Sequence, residues 1–176
     1  MEFTPLEIPG VYLIEMKLLK DPRGFFTRTF CQKEFEAIGL KNQIVQCNTS
    51  WNKDKGTLRG MHYQRAPHAE VKIIRCTRGA IYDVIIDLRK DSPTYCRWVG
   101  VELTQDDYKM LYVPEGFAHG YVTLKPDTET IYFVTAAYAP DHEGAVRWDD
   151  PAFKIEWPIP EPILSDKDRS HPDYQP

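Results

Sequence analysis

Short stretches rich in β-branched and aromatic residues recur along the chain, divided by Gly, Pro, Asn and Asp, and several alternate apolar with polar positions. A two-residue period is that of a half-buried strand, and it predicts strands near 11–18, 43–50, 57–64, 70–76, 80–88, 96–103, 109–113, 119–124 and 129–136. Within the last of these, Thr130, Tyr132 and Val134 fall on one side and Ile131, Phe133 and Thr135 on the other, so Tyr132 and Phe133 point to opposite faces. Within 80–88 the apolar set Tyr82, Val84, Ile86 and Leu88 reads as the core face, with Asp83 and Asp87 interrupting the other, and Arg78-Gly79 supplies the preceding turn. One helix is expected, over 32–38, stopped by Gly39 and lying across one end of a barrel. The Pro-rich stretch from Trp157 to Pro162 reads as an extended tail laid over a sheet. The pattern as a whole is that of an all-β sandwich or barrel with few short helices.

At 176 residues the chain is sized for a single domain spanning 1–176. No apolar run approaches the length of a bilayer span, and Met1 to Pro5 lack the basic and apolar stretches of a signal peptide, so a soluble, cytoplasmic protein is expected. Cys31, Cys47, Cys76 and Cys96 form no CxxC pair, which points to reduced thiols rather than a zinc ribbon or a redox centre. A net charge of -4 argues against a nucleic-acid surface, and Arg, Lys and His gather around particular motifs, as a pocket for a small anionic ligand would require.

Thr57 to Gln64 holds Arg59, His62 and Gln64 on one strand-like run. A lone strand histidine is more often structural than catalytic, although imidazole is the side chain best matched to proton transfer near neutral pH. Two further groups change the picture. Lys72 sits among Val71, Ile73 and Ile74, where an ammonium either snorkels to solvent or faces a polar cavity. His119 closes a Pro-x-Gly-x-x-His run from Pro114, half of the general cupin pattern in which small β-barrels hold residues at the mouth of a cavity.

Five separated motifs share one order and spacing: Asp21-Pro22-Arg23-Gly24-Phe25-Phe26, Leu58 to Gln64, Ser92-Pro93-Thr94, Pro114 to Gly120, and Leu164-Ser165-Asp166-Lys167-Asp168. Together with Tyr132, Tyr138 and Glu143, this series resembles the dTDP-4-dehydrorhamnose 3,5-epimerase family over nearly the whole chain. The resemblance implies a cupin-type jelly-roll β-sandwich or barrel, a homodimer, and no cofactor or metal. It implies inversion of C3, C5 or both in a nucleotide-diphosphate-linked 4-keto-6-deoxy sugar, the reaction being dTDP-4-dehydro-6-deoxy-glucose to dTDP-4-dehydro-rhamnose. The ketone acidifies both neighbouring carbons, so such an enzyme needs a base, an enolate stabiliser and an acid on the opposite face. By resemblance His62 is the base and Asp168 the partner that orients it. Lys72 then faces the enolate and Tyr132 returns the proton, while His119 either touches the sugar or shapes the pocket. The same resemblance assigns the nucleotide to Arg23, Gln46, Asn48, Arg59, Glu143 and Lys167, with Phe26 and Tyr138 as aromatic surfaces. Arg23 and Phe26 are implied to reach the site of the neighbouring subunit.

Arg59 and His62 are three apart, so a regular strand would aim them at opposite faces; both line one cavity only if Gly60 marks a bulge or bend. The family commonly carries Glu where this chain has Arg28, a reversed charge in the nucleotide region. Two other classes compete: a metal-dependent cupin using His62 and His119, with Gln64 at the position of a third ligand, and a sugar-nucleotide-binding protein without catalysis. His68, His142 and His171 lie in polar or loop-like contexts and receive no role. These residues do not separate inversion at C3 from inversion at both carbons.

Overall fold

The two-residue periodicity is realised in thirteen strands within residues 1–175, which a computed structural model describes. The chain runs through β1 (Glu2–Pro5), β2 (Tyr12–Glu15), β3 (Leu19–Asp21), β4 (Gly24–Phe26), helix α1 (Gln32–Glu36), β5 (Gln46–Asn52), β6 (Leu58–Gln64) and β7 (Lys72–Arg78). It continues through β8 (Ala80–Asp87), β9 (Trp98–Thr104), β10 (Lys109–Val113), β11 (Phe117–Thr123), β12 (Thr128–Val134), β13 (Glu143–Ala145) and a short helix α2 (Asp166–Arg169). Six strands form one sheet in the order β1-β2-β10-β7-β12-β5, five form a second in the order β13-β6-β11-β8-β9, and β3 pairs with β4 alone. The pairings between these strands are antiparallel. Ile74, Cys76, Leu111 and Val113 of the first sheet meet Ile81, Ile85, Leu103 and Phe117 of the second, so the main core lies between two facing sheets. The architecture is mostly β and cupin-like, with few short helices, and among the described residues no helix is long and apolar enough to cross a membrane.

Two expectations are corrected. In β8 the face read as core is the outer one: Val84 and Ile86 pack against Val146 and Phe153, while Ile81 and Ile85 enter the inter-sheet core beside the fully buried Asp83 and Asp87. Because the C-terminal segment covers the outer face, both sides of the strand are buried, and alternation alone does not say which one faces the other sheet. Helix α1 lies on a sheet face rather than across a barrel end: its buried Phe35 packs with Ile14, Ile73, Met110 and Tyr112 on the outer side of the six-stranded sheet. The helix does end as expected, with Gly39 at φ +75° just beyond it. The tail also lies as expected, Trp157 packing over the five-stranded sheet and Ile163 forming a bridge to Thr57.

The Ser92-Pro93-Thr94 motif has a structural role. Asp87 accepts from Arg89 Nε at 2.8 Å, Ser92 Oγ at 2.6 Å and Thr94 Oγ1 at 2.7 Å. Burial pushes the carboxyl up, but these donors outweigh it and hold its pKa at about 2. A depressed folded-state pKa contributes stability that is complete above the ordinary value of 3.8 and lost as pH falls towards about 2. Thr94→Val keeps the shape but removes one donor from a buried charge, so it is expected to cost roughly 1–3 kcal/mol in urea unfolding and to move acid unfolding to higher pH.

Candidate active site

Between the sheets lies a cleft of two lobes, about 330 and 210 Å³, which share His62, Lys72 and Tyr132. His62 projects from β6 of the five-stranded sheet, whereas Lys72 on β7 and Tyr132 on β12 project from the six-stranded one. A ligand seated at the junction of the lobes therefore has an imidazole on one side and a phenol and an ammonium on the other.

His62 Nε2 lies 2.7 Å from Asp168 Oδ1. Asp168 belongs to α2, whose first turn is held by Ser165 Oγ accepting from the Asp168 N–H at 3.1 Å. The Asp168 side chain is 7% exposed. Burial drives the acid upward in pKa, but the hydrogen bond and charge of His62, with smaller help from Ser165 and the Gly60 backbone, hold it below its usual range. A buried carboxylate that stays ionised both orients the imidazole and stabilises the imidazolium formed when the ring takes a proton.

The irregularity expected at Gly60 is present. His119 pairs with His62 and Tyr121 with Arg59, so three steps on β6 oppose two on β11. Gly60 has φ +141°, and a Cβ there would lie 2.5 Å from Gly120 Cα, so only glycine fits the bulge. The bulge turns Arg59 into the same inner lobe as His62, where its Nε donates to Asn52 Oδ1 at 2.7 Å.

Lys72 faces the cleft rather than snorkelling. Its ammonium donates to the His62 carbonyl at 3.3 Å and lies 3.4 Å from Glu70, a cleft residue that sequence reasoning missed. Tyr132 and Phe133 diverge as alternation requires: Tyr132 packs against the inter-sheet core, Phe133 on the outer face. Burial, and then the nearby Tyr121 and Glu70, raise the Tyr132 phenol above its ordinary pKa of 10.0, so it is protonated at neutral pH. His119 has its own carboxylate, Nε2 lying 2.5 Å from Asp83 Oδ1, and the second oxygen of Asp83 is buried without a partner among the described residues. The signal for Asp83 was an acid on an otherwise apolar strand, which is costly to bury without a partner.

The outer lobe is lined by Gln46, Asn48, Tyr138 and Glu143. Gln46 donates to Asn48 at 2.9 Å and accepts from the Tyr138 N–H at 3.2 Å. Lys167 donates to Glu143 at 2.7 Å, a bond that holds the carboxyl below its ordinary pKa. Gln64 is engaged elsewhere: its amide bonds the backbone of His68, Ala137 and Ala139, so it does not complete a metal set with His62 and His119, each of which faces its own carboxylate. The rings of His68 and His142 meet at 4.4 Å, tilted by 44°, and line neither lobe. Arg23 and Phe26 are not brought to this chain's cleft. They lie on the exposed β3–β4 hairpin, Arg23 paired with Asp21 and Phe26 68% exposed. Arg28 pairs with Glu34 at 2.7 Å beside that hairpin.

Facing sheets that hold a histidine with a buried carboxylate opposite a neutral phenol form a site of the kind an isomerase uses, with a proton acceptor on one side of a bound ligand and a donor on the other. The family description "dTDP-4-dehydrorhamnose 3,5-epimerase" matches residues 5–175. The dTDP-4-dehydrorhamnose 3,5-epimerase of Shigella flexneri is 45% identical over 169 residues, covering 96% of this chain and 93% of its own length. That of Sinorhizobium fredii is 46% identical over 173 residues, covering 98% and 89%. The crystal structure of dTDP-4-dehydrorhamnose 3,5-epimerase from Bacillus anthracis str. Ames, with TDP and PPi bound, matches with a TM-score of 0.95 at 44% identity, covering 98% of this chain and 99% of that one. The chain belongs to the dTDP-4-dehydrorhamnose 3,5-epimerase family.

Proposed function

We propose that this enzyme inverts C3 and C5 of a dTDP-linked 4-keto-6-deoxy sugar, converting dTDP-4-dehydro-6-deoxy-glucose to dTDP-4-dehydro-rhamnose without a cofactor. The observation that carries the mechanism is the placement of His62 and Tyr132 on opposite sheets across one cleft. His62 removes the proton next to the ketone, and the Asp168 carboxylate stabilises the resulting imidazolium. Lys72, whose side chain is 12% exposed, balances the charge that develops on the enolate oxygen. Tyr132 then protonates the carbon from the other face. His119, backed by Asp83, shapes the inner lobe around the sugar, and Arg59 reaches it from the bulge. Gln46, Asn48, Tyr138, Glu143 and Lys167 hold the nucleotide in the outer lobe.

In this reading residues 1–176 act as one jelly-roll domain in a cytoplasmic homodimer. The exposed β3–β4 hairpin supports the dimer: Leu19, Phe25 and Phe26 are 56%, 43% and 68% exposed, and Arg23 has no role in its own cleft. Arg23 and Phe26 therefore complete the nucleotide site of the second copy.

The dyad is tested by Asp168→Asn. The amide keeps the volume but removes the charge that supports imidazolium, so turnover is expected to fall about 10²–10⁴-fold with dTDP affinity and fold retained. Wild-type turnover in this variant would show that His62 acts without Asp168.

A further inference from the structure

His171, just beyond α2, has no part in the mechanism above, yet its ring Nε2 is buried without a hydrogen-bond partner among the described residues. A buried, unpaired ring nitrogen is costly and calls for something that engages it. One donor atom each from His171, His62 and Asp168 lie within 4.8 Å of one another. From these groups we propose a binding site for a zinc-class divalent cation, formed by His62, Asp168 and His171, whose occupation silences the enzyme.

Two imidazoles and one carboxylate form a borderline-soft set of the kind that holds zinc with three protein ligands and one open position. His62 Nε2 and Asp168 Oδ1 already stand 2.7 Å apart, closer than two ligands of one ion. Metal–ligand bonds of about 2.0–2.1 Å place tetrahedral ligands roughly 3.3 Å apart. Spreading that pair slightly and drawing His171 inward by up to about 1.5 Å therefore closes the set. The fourth position opens onto the inner lobe, which His62 and Asp168 line. A hard, six-coordinate ion such as magnesium is poorly served by two imidazoles. In the active dyad Nε2–H of His62 faces Asp168 and the free lone pair on Nδ1 takes the substrate proton; a metal on Nε2 uses the ring's single lone pair and leaves the ring proton on Nδ1, so metal binding and proton abstraction exclude each other.

The inhibitory half of this proposal rests on His62 being the base; the binding half does not, and the two are measured separately. Chelator-treated enzyme is titrated with zinc by calorimetry and with cobalt by visible absorption, alongside His171→Asn. One equivalent of zinc is expected to bind the wild type, cobalt to give the intense bands of a four-coordinate site, and His171→Asn to weaken zinc at least about 100-fold, since loss of mere outer-shell partners already costs 10–100-fold. In a chelator-free assay zinc, but not magnesium, should abolish inversion, EDTA should restore it, and His171→Asn should turn over normally with its zinc sensitivity lowered by the same factor. Unchanged zinc affinity in His171→Asn, or no binding to the wild type, would overturn the site. Zinc that binds through His171 without slowing turnover would overturn the inhibition and the assignment of His62 as base.

Discussion

His62→Ala is expected to lower hydrogen exchange at C3 and C5, and inversion at both, by about 10³-fold or more. Affinity for dTDP should stay within about threefold, because the base acts on the transition state and the proposed nucleotide groups lie in the outer lobe. The substitution leaves the Asp168 carboxylate buried without its imidazole, so thermal unfolding must accompany the kinetics. His62→Asn, which can still donate towards Asp168, separates loss of the base from loss of the fold. Exchange near the wild-type rate in either folded variant, or lost dTDP binding with exchange intact, would remove His62 from the chemistry.

Tyr132→Phe is expected to separate exchange from inversion. The ring packs against the inter-sheet core and Phe keeps that ring, so the change should alter stability by less than about 0.5 kcal/mol. Inverted product should fall roughly 10²-fold or more, because delivery to the far face has lost its proton donor. His62 can still remove and return a proton on its own side, so deuterium from solvent enters substrate of retained configuration. The raised phenol pKa adds a sign: in the wild type, loss of this acid does not limit inversion until the pH exceeds about 10. Wild-type inversion by Tyr132→Phe, measured by NMR of the sugar, would return Tyr132 to packing alone.

Much of this was legible because strand alternation and functional side chains obey the same period. The nine expected strands all exist, and the opposed directions of Tyr132 and Phe133 follow from alternation alone. The bulge at Gly60 was legible for a sharper reason: two residues three apart on a strand share a cavity only if the strand breaks register. What escaped were elements without an apolar face. The strands β1, β3 and β4 are largely exposed and β13 spans three residues, so none carries a strong periodic signal. Helix α2 was marked only by Ser165 and Asp168 at capping distance, which is also the spacing that delivers Asp168 to His62. The inner and outer faces of β8 were exchanged because the chain's own tail buries the outer one. Asp83 stood out as an acid on an apolar strand, but its pairing with His119, like the place of Glu70 beside Lys72, became visible only in three dimensions, since a partner on another strand leaves no mark in local spacing.

In the proposed reaction protons leave C3 and C5 to a base within the cleft and return from the opposite face. The most direct test is proton NMR of dTDP-4-dehydro-6-deoxy-glucose turned over by the wild-type enzyme in deuterated buffer. Conversion to dTDP-4-dehydro-rhamnose should proceed with deuterium replacing hydrogen at each inverted carbon, with exchange and inversion advancing together. Inverted product that keeps its original hydrogens at both carbons would contradict the claim.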